Sequence, residues 1–210
     1  MAVALWKKIV YYILYQACPY KGSRRVKGIM TNFADTRPDA RQVLEHYRAL
    51  NEAPVDVEKI CKAEGISIDY VDFSELEKEI DGEQVSGAIY VDESTGKRFI
   101  LVREDDPTAR QRFTIAHELG HYYLHRNDEN EVFVSLRQTS LDGLRRPSLD
   151  PRERQANNFA AELLMPEELL QKEYALYFFP SISHLSELFK VSKEALRYRL
   201  QKLGLFYVEK

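Results

Sequence analysis

From Asp39 onward apolar residues recur at helical spacing: Val43, Leu44, Tyr47 and Leu50 share one face, and Pro54 closes the run. A second helical stretch, from about Val57 to Glu64, has Asp56 in the capping position and Gly65 just past its end. The period then changes to two. Ile66, Ile68 and Tyr70 alternate with Ser67 and Asp69, which predicts a half-buried strand. Ala88–Val91 and Phe99–Val102 flank Asp92-Glu93-Ser94-Thr95-Gly96, the pattern of a hairpin. Asp106-Pro107 and Asp150-Pro151 each place a capping residue before a proline at the first helical position. They predict helices from Pro107 to about His125 and from Pro151 to Met165. Asn127 to Leu149 is polar, contains Gly143 and Pro147, and reads as a long loop. A short helix is expected from Pro166 to about Tyr177. Beyond Pro180, Leu185, Leu188 and Phe189 line one helix; Leu196, Leu200 and Leu203 line another, with a turn at Val191-Ser192. Strands bunched together among helices indicate an α+β fold, with a short antiparallel or mixed sheet packed on helices.

Composition narrows the classes. The 210 residues are 44% hydrophobic and 11% aromatic, enough for a packed core and too much for a disordered chain. Thirty Lys and Arg against 33 Asp and Glu leave a net charge of -3, so no overall basic charge serves nucleic acid. Cys18 and Cys61 make no disulfide framework and no CxxC pair exists, so a cytoplasmic location is expected. Residues 1–30 differ from the rest: Lys7-Lys8 precede the apolar run Ile9–Tyr15, which is too short to span a bilayer. They read as an atypical N-terminal extension, with a membrane-surface anchor or a secretion signal as alternatives. The remainder divides into a domain over 31–178 and a C-terminal segment over 179–210.

The chemistry is concentrated in His117-Glu118-Leu119-Gly120-His121, an HExxH motif inside a predicted helix. Residues four apart lie one turn above each other, so both imidazoles can converge on one ion. Glu118 sits beside the first histidine, where it can reach a water on the ion without ligating it. Gly120 weakens a helix by about 1 kcal/mol relative to Ala, which points to a close approach there. His125 is one turn further, about 12 Å along the axis from His117, too far to share the ion. Leu124 and Asn127 stand where a metzincin would have Gly and His. A third ligand must come from downstream. Glu129 and Glu131 lie in a polar stretch, and Glu162, Glu167 and Glu168 read as solvent-facing or terminal charges. Glu153 shares a helix face with Ala156, Asn157, Ala160 and Leu164; spacing alone leaves it equally a metal ligand or a capping-box residue with Asp150. Asn157 can hydrogen-bond a ligand.

The segments Arg112–His121 and Glu153–Pro166 (Glu153-Arg154-Gln155-Ala156-Asn157 continuing to Leu163-Leu164-Met165-Pro166) together resemble the ImmA/IrrE family of metallo-endopeptidases. The resemblance spans roughly Asp39 to Leu203. It implies a small zincin-like peptidase with one Zn2+ held by His117, His121 and Glu153, and Glu118 as the catalytic acid and base. It also implies a protein substrate: a helix-turn-helix transcriptional repressor, often of the XRE type, in a bacterial, phage or mobile-element switch. Strand Phe99–Val102 is a candidate to pair with an extended substrate, whereas as an interior strand it would serve only the core. Tyr122, Tyr123, His125 and Tyr174 are candidate oxyanion donors.

A second reading concerns Leu185–Leu200, which has the shape of a helix-turn-helix. Six Lys and Arg against three Glu over residues 181–210 give a local +3. On this reading the chain is a DNA-binding or regulatory protein and the metal site is structural. A module packed on the peptidase core, or a substrate-docking surface, is the favoured role, because +3 is weak for neutralising phosphate.

Overall fold

The computed structural model describes residues 37–79, 84–92, 95–125, 132–136, 150–177 and 179–209. The extension expected over residues 1–30, Glu129, Glu131 and most of the expected loop 127–149 lie outside them.

Asp39 opens α1 (Ala40–His46) with a reciprocal capping box involving Gln42. The helix is shorter than its apolar face predicts. Tyr47 caps it and Arg48 takes a left-handed conformation at φ 53°, so the chain turns away well before Pro54. Helix α2 (Val57–Ala63) is capped by Asp56 as expected, and Gly65 follows at φ 69°. Strand β1 (Ile66–Val71) leads to α3 (Ser74–Glu79), a short helix that the periodicity did not reveal. Strands β2 (Val85–Asp92) and β3 (Lys97–Arg103) form the expected hairpin. Then come α4 (Thr108–His125), β4 (Val132–Leu136), α5 (Pro151–Leu164), α6 (Glu167–Leu176), α7 (Ile182–Phe189) and α8 (Lys193–Leu203).

The sheet runs β1-β3-β2-β4. β1 is parallel to β3, and the other two pairings are antiparallel. Two expectations are corrected here. Residues 132–136 form a strand, where a continuous loop was expected; Val132, Phe133 and Val134 have the β-branched and aromatic character that sheet pairing favours. Strand β3, expected to receive substrate, is interior: β1 and β2 occupy both of its edges, leaving no backbone groups for another chain.

One sheet face is covered by helices. Ile89, Ile100 and Val102 join Ile115, Ala116 and Leu119 of α4 and Phe159, Ala160 and Leu163 of α5 in a single buried cluster. Helix α4 is buried on every side from Thr114 to Tyr123, which is why its sequence lacks a clean polar stripe. Among the described residues, α4 and α5 make the most extensive interhelical contact, and it is this pair that frames the site. No helix of the described residues is long and apolar enough to cross a membrane.

Candidate metal centre

Helix α4 carries His117, His121 and His125 along one face, since a four-residue step rotates the side chain by only about 40°. The Nε2 atoms of His117 and His121 lie 3.0 Å apart. Opposite them, the first turn of α5 presents Glu153, with Oε2 3.3 Å from His117 Nε2 and Oε1 3.1 Å from His121 Nε2. Ligand atoms placed tetrahedrally 2.0–2.1 Å from a zinc-like ion stand roughly 3.4 Å from one another. Two imidazole nitrogens and a carboxylate at these separations therefore suit one small divalent cation. Each of the three groups can offer one ligand atom to it, all within 4.8 Å of one another. His125 is not among them; its ring centre is 5.6 Å from that of His121, one turn further on.

Several local features hold the arrangement. Asp150 caps α5 by accepting from the Arg152 amide at 2.8 Å, while Glu153 faces the histidines, so the two do not form the capping box considered from spacing. His117 Nδ1 donates to Asn157 Oδ1 at 2.9 Å, which leaves Nε2 with its lone pair toward the site. Gly120 accounts for the closeness of the two helices. A Cβ there would come within 2.9 Å of Ala156 Cα and 3.1 Å of its carbonyl oxygen.

Burial disfavours charge on all three groups, and their mutual contacts decide the outcome. At His117, contacts with Glu153, Glu118 and Asn157 outweigh burial and raise the pKa. At His121 burial prevails, aided by the neighbouring imidazoles, and the pKa falls. At Glu153 burial is outweighed by both histidines, which hold the carboxyl far below the ordinary range. The ionised carboxylate beside two imidazoles is the form a cation requires.

Glu118 is fully buried, and its Oε1 lies against β2, 3.5 Å from where a Cβ of Gly87 would be. Gly87 escaped the sequence reading, although an isolated glycine in a strand pattern is itself a sign of close backbone approach. A buried carboxylate at Glu64 was missed as well. It accepts hydroxyl hydrogen bonds from Tyr47, from Tyr122 at 2.9 Å and from Tyr123 at 3.0 Å. Tyr122 and Tyr123 are therefore corrected as oxyanion candidates, because their hydroxyls are turned to α2. Glu162, expected to face solvent, instead pairs with the buried Arg199 of α8.

Comparison with known proteins agrees with this geometry. A peptidase family model described as the IrrE N-terminal-like domain matches residues 64–201, which include all of α4, α5 and the sheet. Metallopeptidase ImmA of Bacillus subtilis (strain 168) is 29% identical over 123 residues, covering 59% of this chain and 67% of the relative. The chain thus belongs to the ImmA/IrrE family of metallo-endopeptidases.

Proposed function

We propose that this metallo-endopeptidase is zinc-dependent, that His117, His121 and Glu153 hold the ion, and that Glu118 is its catalytic acid and base. The supporting observation is the convergence of a carboxylate from α5 on two imidazole nitrogens of α4. A zinc ion in this position supplies Lewis acidity toward the scissile carbonyl and acidifies a water. The protein's own part is proton handling and orientation. Glu118 accepts the proton of the attacking water as the C–O bond forms. It returns that proton to the amide nitrogen as the C–N bond breaks, so the peptide leaves as an acid and an amine. Asn157 fixes the His117 ring through Nδ1.

The substrate we propose is a helix-turn-helix transcriptional repressor of the XRE type, cut in a bacterial, phage or mobile-element switch; the family likeness supports this class. Residues 179–210 are read as a helix-turn-helix-like module docked on a peptidase domain over 31–178. Arg199 Nε reaches Met165 O at 3.1 Å, and Lys202 Nζ reaches Asn158 Oδ1 at 2.9 Å. Arg197 pairs with Glu209, and Lys193 bonds Ser183 Oγ at 2.8 Å. Basic groups occupied this way are poorly disposed to neutralise phosphate, which favours the docked role over DNA binding.

Incubation of the zinc-loaded chain with purified XRE-type repressors from the same genome tests the reading. One discrete cut is expected, abolished by chelation and restored by zinc. Glu118→Gln should lower the rate at least about a hundredfold while keeping the metal. Cleavage that survives Glu118→Gln, or full metal content in Glu153→Ala, would overturn the assignment.

A further inference from the structure

We infer that Gly87, held in register by the Glu77–Arg103 ion pair, is the positioning residue for Glu118; the inference rests on the proposed role of that carboxylate. Three observations lead to it. First, β2 is irregular where it meets α4. Its pairing with β4 shifts between Val85 and Gly87, two residues of β2 spanning one step of β4 from Leu136 to Ser135. Such a bulge redirects the strand and the side chains that follow.

Second, the bulge is held by side chains. The Val85 amide donates to Glu77 Oε1 at 2.8 Å, and Arg103 Nε donates to the Val85 carbonyl at 2.9 Å. Arg103 also pairs with Glu77, closing the triangle from the last residue of β3. Both groups are largely withdrawn from solvent, with side chains 6% and 16% exposed. Among the described residues, their hydrogen-bond and ion-pair partners do not include the histidines or Glu153. Their shared partner is the backbone two residues before Gly87.

Third, Gly87 is where the strand meets the turn of α4 that carries Glu118. A Cβ at Gly87 would lie 2.4 Å from Thr114 Cγ2, 2.9 Å from Leu101 O and 3.5 Å from Glu118 Oε1. Thr114 precedes Glu118 by one helical turn, so both face the strand together. The absent side chain lets α4 seat directly on β2 with the Glu118 carboxylate against the backbone. A methyl group there must displace Thr114, and with it the turn that aims Glu118. Displacement of a general base by a fraction of an ångström lowers turnover more than it lowers substrate affinity.

The test compares Gly87→Ala, Gly87→Ala/Thr114→Ser and Glu118→Gln with the parent chain. It reads melting temperature without metal, the visible spectrum of the cobalt(II)-loaded protein, and kcat and KM on a peptide that the parent cleaves. Gly87→Ala is expected to bind one cobalt ion, shift the spectrum in the same direction as Glu118→Gln, and lose at least tenfold in kcat at unchanged KM. Thr114→Ser, which removes the clashing methyl, should recover part of both the melting temperature and the spectrum. An unshifted spectrum with kcat within twofold of the parent overturns the inference. So does loss of cobalt in proportion to lost melting temperature, the mark of a glycine that only packs. A parent chain that cuts no peptide refutes the catalytic reading, and the spectrum and melting temperatures then still decide the seat. A parent chain that binds no cobalt refutes the metal centre and this inference together.

Discussion

At the scale of single residues, the division of labour within one helical turn is set by which face each side chain occupies. His117 and His121 share a face and offer nitrogens 3.0 Å apart, whereas Glu118 is turned against β2. Asn157 belongs to the same economy of orientation, since its carbonyl oxygen accepts from His117 Nδ1. Asn157→Leu removes that acceptor while keeping the branched four-atom outline of the side chain. It should weaken zinc binding about 10- to 100-fold with little change in melting temperature of the metal-free chain. Competition with a chromophoric chelator measures the first quantity and circular dichroism the second. Unchanged zinc affinity would mean that packing alone orients the ring. These residues were partly legible beforehand. Helical spacing is local, so the two histidines could be paired from sequence. Glu153 lies on a different helix, and its distance to them depends on packing that spacing does not encode; spacing alone leaves it evenly balanced with a capping role, and only the family likeness favours the metal. The Glu64 carboxylate, at the end of α2, offered no local signal at all. Only the fold reveals that three tyrosines converge on it.

At the scale of elements, the centre exists because α4 and α5 approach more closely than ordinary side chains permit. Gly120 and Ala156 meet at the crossing. Gly120→Ala would raise intrinsic helix propensity by about 1 kcal/mol, yet the added methyl meets backbone atoms of α5 that cannot rotate away. Overpacking of this kind costs about 1–3 kcal/mol, so a net loss of stability is expected. Glu153 should also be pushed from the histidines and the zinc content should fall. Calorimetry and metal analysis of the one variant check both effects. A stabilised, fully loaded protein would show that α5 moves without resistance. The small residues here were readable as a sign of contact, but the sheet was less so. Strand β4 lies in a stretch dominated by polar residues, and the interior position of β3 follows from the parallel pairing with β1, a nonlocal choice. The premature end of α1 turns on a left-handed Arg48, a residue type that seldom marks a turn.

At the scale of the whole molecule, burial of neutral acids predicts how stability varies with pH. Burial pushes the Cys61 thiol up, aided by the nearby Glu58, and burial together with Glu64 does the same to the Tyr123 hydroxyl. A group whose folded pKa is raised gives its full stabilisation below the unfolded value and loses it as pH rises toward the folded one. Above an ordinary thiol value of 9.0, Cys61 alone should withdraw stability progressively, on the order of 1 kcal/mol by pH 10. Urea midpoints between pH 8 and pH 10.5 should therefore fall, with a shallower decline in Cys61→Ala. A flat profile would show that the thiol can reach water without unfolding.

The proposed metal centre would draw its donors from α4 and α5, which flank β4 in the sequence, so that His121 and Glu153 lie far apart along the chain. An ion held there would act as a staple between those two distant positions as well as a reagent. Stripping it should loosen α5 first and make the protein easier to digest. The same staple should keep the two parts associated after a nick between them.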